Sequence, residues 1–271
     1  MERILRHSCA WVVALLLGAC GGGGGGTVAS TGDAPAPVTA TATTPTALPA
    51  AGISLLFMGN SHSSVNQLPA MVEAMVRAAR PGTTVVAAEA PGWMYLEERS
   101  ADAASLALLR SRAWSAVILQ AQKYSTSGLF TYSTDGAEAL IRETRAVGAL
   151  PVLFPEWPRL GVDETRRIYD LHVSIAQRRP ACVAPVGQAW DLALARHPGL
   201  VLHAADGNHS SAAGAFLAAL VLASTYTRMA PDAVPFLPGL GVDATTQELL
   251  RHAAADTVTS ISPRQWCPSD P

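Results

Sequence analysis

The chain has 271 residues, of which 49% are hydrophobic and 15% are charged. Its 19 Lys and Arg residues against 21 Asp and Glu residues give a formal net charge of -2 at pH 7. This composition is too hydrophobic for a disordered chain and lacks the basic excess of most nucleic-acid-binding proteins. We therefore expect a folded domain with a full hydrophobic core and no nucleic-acid partner.

The N-terminus has the pattern of an export signal. Arg3 and Arg6 precede an apolar stretch, Ala10 to Leu17, that ends in Gly18-Ala19-Cys20. The stretch is shorter than the roughly 20 residues that cross a bilayer, which favours a cleaved signal over a permanent transmembrane helix. The small residues before Cys20 resemble the lipobox of bacterial lipoproteins. This resemblance implies lipidation of Cys20 and a lipid anchor in the outer membrane facing the periplasm, with secretion to the periplasm as the alternative.

A low-complexity segment follows Cys20. Six consecutive glycines, Gly21 to Gly26, lead into a stretch rich in Ala, Thr and Pro that ends near residue 50. Such a composition cannot bury enough apolar area to fold, so it predicts a disordered tether. The predicted organisation is a signal peptide over residues 1–19, a lipidated cysteine and tether over 20–50, and a folded domain over 51–271.

Short apolar runs alternate with longer segments of helical period in this domain. The runs predict five strands, at Ile53–Met58, Val85–Ala88, Ala116–Leu119, Pro151–Phe154 and Cys182–Pro185. Helices are predicted at Leu68–Ala79, Leu96–Arg112, Gly136–Val147, Glu164–Arg178, Gln188–Arg196 and Ala212–Tyr226, with a last amphipathic helix at Asp243–Ser260 packed against the sheet. This alternation predicts a three-layer α/β/α sandwich around a five-stranded parallel sheet. Its ligand site is expected beyond the carboxyl ends of the strands.

Two loops carry residues suited to nucleophilic catalysis. Gly59-Asn60-Ser61-His62-Ser63 follows the first strand, so Ser61 is expected at the carboxyl edge as a nucleophile, or else as a serine that only caps a helix. The second loop, Asp206-Gly207-Asn208-His209, precedes an apolar helix. An Asp three residues before a His can orient the imidazole ring toward a serine hydroxyl. A solvated Asp-Gly turn is the alternative for the second loop.

Together these loops resemble the first and last motifs of the SGNH/GDSL hydrolase superfamily of esterases and lipases. Certain bacterial branches of this superfamily have Gly-Asn-Ser where others have Gly-Asp-Ser. The resemblance implies a flavodoxin-like sandwich in which Ser61 is the nucleophile, His209 the general base and Asp206 the residue that orients it. It implies a reaction through an acyl-enzyme that needs neither a cofactor nor a metal.

The middle motifs of the family match less closely. Pro91-Gly92 stands where the family has an oxyanion-hole glycine, although a plain Pro-Gly turn is the alternative. Gln122 aligns with the family's oxyanion-hole Asn, and Gln120 is the alternative because a one-residue slip in a strand exchanges the two faces. The oxyanion hole implied by the resemblance therefore consists of the Ser61 N–H, the Gly92 N–H and the Gln122 amide.

The remaining expectations concern substrate, cysteines and neighbouring residues. The resemblance and the export signal favour a small-molecule or glycan ester, such as an O-acetylated carbohydrate. An acyltransferase to glycan on the same fold and a noncatalytic envelope- or glycan-binding lipoprotein are the alternatives.

Cys182 and Cys267 could form a disulfide in an oxidising compartment or remain two thiols. His62 is interpreted as a polar loop residue, and Glu156 and Trp157 as part of a packed loop at the functional edge.

Overall fold

The computed structural model describes residues 52–269, which belong to a compact unit over Leu48–Pro271. The signal peptide and tether predicted for residues 1–50, with the lipidation site Cys20, lie outside the described residues. Within residues 52–269, no helix is both long enough and apolar enough to cross a bilayer.

The core of the domain is one parallel sheet, as the alternation of strands and helices predicts. Its strands are β1 (Gly52–Met58), β2 (Thr84–Glu89), β3 (Ala116–Leu119), β4 (Leu150–Leu153) and β5 (Cys182–Val183), in the spatial order β2-β1-β3-β4-β5. This is the order of flavodoxin-like doubly wound sheets, so the predicted fold class is confirmed. The fifth strand is shorter than predicted because the chain turns at Pro185, which has no N–H for the sheet and directly precedes a helix.

The helices follow the predicted segments with one correction. Their bounds are α1 Ser61–Ser64, α2 Leu68–Ala79, α3 Leu96–Arg99, α4 Ala103–Arg110, α5 Asp135–Ala146, α6 Thr165–Arg178, α7 Val186–Arg196, α8 Ala212–Thr227 and α9 Ala244–Ser260. The single helix predicted over Leu96–Arg112 is wrong: it divides into α3 and α4. The break occurs because Asp102 has an extended backbone and its carboxylate accepts the N–H of Ser105 at 2.7 Å, which starts a new helix.

Strand alternation divides the helices between the two faces of the sheet. Leu55 and Phe57 of β1 face a cluster formed by α2, α7, α8 and α9, whereas Leu56 and Met58 face one formed by α3 to α6. Helix α8 is buried around almost its whole circumference, because α9 packs on its outer side and on α7. The expectation that the last helix lies against the sheet is therefore corrected: α9 covers α7 and α8.

A disulfide joins β5 to the C-terminal segment. The sulfurs of Cys182 and Cys267 are bonded, with their Cα atoms 4.1 Å apart and a sequence separation of 85. A bond across so long a loop restricts the unfolded chain strongly.

Replacing both Cys182 and Cys267 by Ala should lower the free energy of unfolding by about 2–4 kcal/mol, because the unfolded chain regains the entropy of the closed loop. Urea unfolding of the soluble domain under non-reducing conditions measures the change. The wild type treated with a reductant should show the same midpoint as the double variant. A double variant as stable as the oxidised wild type would contradict the prediction.

Candidate active site

The turn after β1 holds Ser61 at the carboxyl edge of the sheet. Asn60 is extended and caps α1, because its side-chain Oδ1 accepts the N–H of His62 at 3.0 Å. Gly59 is required here by close approach: a Cβ atom would lie 2.5 Å from Oε1 of Gln120 and 2.3 Å from Oγ of Ser63. The sheet order reverses between β1 and β3, which is where ligand sites of such folds lie. Ser61 therefore lies where the topology opens a crevice.

The loop before α8 holds His209 opposite this serine. Asp206 Oδ1 accepts the backbone N–H groups of Asn208 and His209, each at 2.9 Å, which folds the four residues into a tight turn. Gly207 takes the left-handed conformation with φ +68°, which a glycine adopts without strain. The loop is fixed to its surroundings by the Asn66 side-chain amide, which donates to the carbonyl of Ser210 at 2.6 Å.

The three residues predicted as a triad are brought together in order. Nε2 of His209 lies 2.8 Å from Oγ of Ser61, and its Nδ1 lies 2.5 Å from Oδ2 of Asp206. The bond from the His209 ring, with those from the two backbone N–H groups, holds the pKa of Asp206 well below its ordinary value. The carboxylate thus stays ionised and keeps the ring proton on Nδ1, so that Nε2 can accept the proton of Ser61.

His62 has a closer relation to this group than the sequence indicates. Its ring is stacked on that of His209 with the centroids 5.1 Å apart, and it also contacts the ring of Trp157 at 5.2 Å. Trp157 in turn stacks on Trp190 at 4.8 Å and donates its indole N–H to the carbonyl of Asn208. Burial, and then the proximity of His209, lower the pKa of His62 to about 4, so it is neutral at neutral pH. The position of His62 next to Ser61 in the sequence did not indicate its contact with His209, because the direction of a side chain in a loop depends on tertiary packing.

Of the residues predicted for the oxyanion hole, Gly92 is exposed in a loop, whereas Gln122 is buried and already hydrogen-bonded. Gly92 is exposed in the loop between β2 and α3 with φ +73°. Gln122 is buried, and its side-chain Nε2 donates to the backbone carbonyls of Lys123 and Ser133, both at 3.0 Å. A third donor role for Gln122 would require one of these bonds to be given up.

Gln120, the alternative to Gln122, is fully buried beneath the turn that carries Ser61. Its Oε1 accepts the N–H of Asn60 at 2.9 Å, and its Nε2 donates to Oε2 of Glu156 at 3.3 Å. Burial raises the pKa of Glu156 to about 7. This pair supports the β1–α1 turn from below.

A cleft of about 390 Å³ opens beside His62 and Asn60. Aromatic and amide side chains share its walls, together with Lys123, Arg159 and Glu156; these aromatic and amide residues are Tyr95, Tyr124, Tyr132, Trp157, Asn60, Gln122 and Asn208. A larger cavity of about 560 Å³ lies among the ends of α8 and α9 and residues 262–269, and it contains none of the predicted catalytic residues. Within residues 52–269, no group of three His, Cys, Asp or Glu side chains is placed to hold a metal ion.

Of three comparisons with known proteins, the one with solved structures found proteins of similar architecture. No protein-family model matches the chain, and no curated protein matches it significantly. Among solved structures, a protein from Slackia heliotrinireducens described as an SGNH hydrolase is 26% identical, with a TM-score of 0.51 over 64% of this chain and 98% of that one. A DUF4886 family protein from Bacteroides uniformis is 18% identical, with a TM-score of 0.60 over 79% of this chain and 96% of that one. The domain thus has the fold of the SGNH hydrolases.

Replacing Glu156 by Gln should stabilise the domain in a pH-dependent way. Since the pKa of Glu156 is raised from 4.5 to about 7 on folding, the wild type loses stability as pH rises through this interval. The variant has no proton to lose there, so its advantage should grow over the interval to at most ~3 kcal/mol and then level off. Urea unfolding between pH 5 and pH 8.5 measures the difference. Replacement of the exposed Glu248 by Gln is the matched control. If stability varied with pH in the same way in both variants, the raised pKa of Glu156 would be refuted.

Proposed function

We propose that the protein is a serine esterase that cleaves carboxylic esters through an acyl-enzyme. The observation that carries this proposal is the continuous chain of contacts from Asp206 through His209 to Oγ of Ser61. The three residues follow one another at the carboxyl edge of a sheet with the fold of the SGNH hydrolases, and the likeness to a described SGNH hydrolase supports the same reaction class. No cofactor is needed for this chemistry.

We assign a role to each of the three side chains. Nε2 of His209 removes the hydroxyl proton as Oγ of Ser61 attacks the ester carbonyl, and the Asp206 carboxylate stabilises the imidazolium that forms. The same imidazolium returns the proton to the leaving alcohol. Water then attacks the acyl carbon as His209 takes its proton, and His209 passes that proton to Oγ of Ser61 as the acid leaves. The second half of the cycle thus restores the free serine.

The charge that develops on the carbonyl oxygen needs hydrogen-bond donors beside Ser61. We propose that the backbone N–H groups of Ser61 and Gly92 supply two of them, with the Gln122 amide as a third donor when it releases a carbonyl partner. Gly92 suits this role because it is exposed and its loop is bonded to the β1–α1 turn. The bond runs from the N–H of Met94, in the Gly92 loop, to the carbonyl of Gly59 in the turn.

The cleft beside His62 supports a carbohydrate ester as substrate, in particular an O-acetylated glycan. Tyr95 and Tyr132 are exposed and offer aromatic faces for sugar rings, while Asn60 and Asn208 offer amide donors and acceptors for hydroxyl groups. A long acyl chain would instead require a cleft with uninterrupted apolar walls.

We further propose that the domain acts in the bacterial cell envelope, held to a membrane surface by lipid on Cys20. The export pattern of the sequence supports this location, and so does the disulfide between Cys182 and Cys267, since such bonds persist in oxidising compartments.

The primary test measures hydrolysis of a short-chain aryl ester and labelling by a fluorophosphonate, using the soluble domain. Replacing Ser61 by Ala or His209 by Ala should abolish labelling and lower kcat by at least about 10⁴-fold, because nucleophile and base act as one unit. Replacing Asp206 by Asn should lower kcat by about 10³–10⁴-fold, since the ring loses the carboxylate that sets its tautomer.

Ser64→Ala is the matched control for these variants. Ser64 lies in the same short helix as Ser61, but its hydroxyl donates to Glu89, so the variant should keep its activity. A folded wild type that neither reacts with the probe nor exceeds Ser61→Ala in rate would refute the proposed function and favour a binding protein.

A second test addresses the substrate. Replacing Tyr132 by Ala should lower kcat/KM for an acetylated oligosaccharide by about 10-fold through loss of a stacking surface, and should leave hydrolysis of an aryl acetate within twofold. Phe236→Ala is the control, because Phe236 is an exposed aromatic residue that does not line the cleft. Equal losses on both substrates, or none on either, would contradict the carbohydrate assignment.

A further inference from the structure

Arg99, at the end of α3, is buried between the two loops that the proposed mechanism uses. The side chain is fully inaccessible to solvent, and its guanidinium donates four hydrogen bonds. Nη2 donates to the carbonyls of Gly59 and Gly92 at 2.6 and 2.7 Å, and Nη1 donates to the carbonyl of Pro91 at 3.2 Å and to Oγ of Ser105 at 2.8 Å. Among residues 52–269, no carboxylate lies within salt-bridge distance of it.

The partners of this guanidinium show what it holds in place. Gly59 is two residues before Ser61, in the turn that leaves β1, whereas Pro91 and Gly92 lie in the loop that leaves β2. A single rigid, planar group thus fixes the spacing between the loop that carries the nucleophile and the loop that carries the proposed oxyanion donor. The N–H of Met94 reinforces this junction by donating to the carbonyl of Gly59 at 3.3 Å.

Peptide geometry extends the effect from the carbonyls to the N–H groups. In a trans peptide the C=O and the N–H point in opposite directions. Because the carbonyl of Pro91 faces Arg99, the N–H of Gly92 points away from the guanidinium. The carbonyl of Gly92 faces Arg99 as well, so the N–H of Trp93 points away in the same manner. Arg99 therefore sets the direction of two successive N–H donors in this loop.

In the described part of the chain, no carboxylate contacts this buried guanidinium directly, although the charge of Asp102 acts on it across Ser105, so its burial carries a desolvation cost. Its planar fork can meet three carbonyls and a hydroxyl at once, which neither a Lys ammonium nor an apolar side chain can do. Burial lowers the pKa of Arg99 from its ordinary value, yet a guanidinium remains protonated at neutral pH. The positive charge thus remains behind the two loops throughout turnover.

We infer that Arg99 is a positioning residue for the oxyanion hole, which it assembles by binding the carbonyls of Gly59, Pro91 and Gly92. The inference rests on the proposed function. It distinguishes Arg99 from an ordinary core residue, because its removal should weaken stabilisation of the tetrahedral intermediate more than binding of the ester.

The test compares Arg99→Met and Arg99→Lys with the wild type on an aryl acetate. Arg99→Met should lower kcat by about 100-fold with KM within threefold, the loss typical of an impaired oxyanion hole. Arg99→Lys should lose about 10-fold, since an ammonium retains the charge but fewer of the bonds. Phenylboronic acid, which adds to a reactive serine as a tetrahedral adduct, should bind each variant more weakly by the same factor as the fall in kcat/KM.

The control is Gln247→Leu, which removes a different buried clamp. Gln247 donates to the carbonyls of Leu237 and Val242 and accepts the N–H of Leu237, so the variant should lower Tm but keep kcat. If Arg99→Met does not fold, Arg99→Lys carries the comparison. Folded Arg99 variants with kcat within twofold of the wild type, or with a raised KM alone, would overturn the inference while the esterase stands. A wild type no faster than Ser61→Ala would overturn both.

Discussion

The contact between Ser61 and His209 joins residues 148 positions apart, and the site depends on how that contact is held. Neither side chain is fixed by its own loop alone. Asn66, two residues beyond α1, donates to Ser210 beside His209, and the N–H of Leu160 donates to the carbonyl of Gly207. These bonds link the loops after β1 and β4 to the turn before α8. The separation of Ser61 and His209 is therefore a property of the sheet edge as a whole.

Buried polar side chains form the support beneath this edge. Gln120 satisfies the N–H of Asn60 and is itself held by Glu156, while Arg99 satisfies the carbonyl of Gly59. Both backbone groups belong to the turn that directs Ser61 outward, and neither has a partner from a regular strand. A buried N–H or C=O without a partner would destabilise the fold, so these side chains stabilise a turn that the sheet alone could not.

A column of rings packs against His209 from the other side. His209 stacks on His62, His62 contacts Trp157, and Trp157 stacks on Trp190 in the core. Gly214 of α8 is needed for this arrangement, because a Cβ atom there would lie 2.3 Å from the Trp190 ring. The column thus couples the position of the His209 imidazole to the packing between α7 and α8.

The sequence by itself determined most of the strands and helices, and it pointed to the Ser61, Asp206 and His209 side chains that the fold brings together. Apolar runs such as Ala116–Leu119 and periodic segments such as Leu68–Ala79 match the observed bounds, because burial on both faces of a parallel sheet leaves a local pattern. The contact between Asp206 and His209 is also local, because the two residues lie three positions apart in one turn. Only tertiary structure decided that α9 covers α8, and which groups Gln120, Gln122 and Arg99 bind. These depend on which distant surfaces and backbone groups meet once the sheet and helices have packed, and no pattern of neighbouring residues records that.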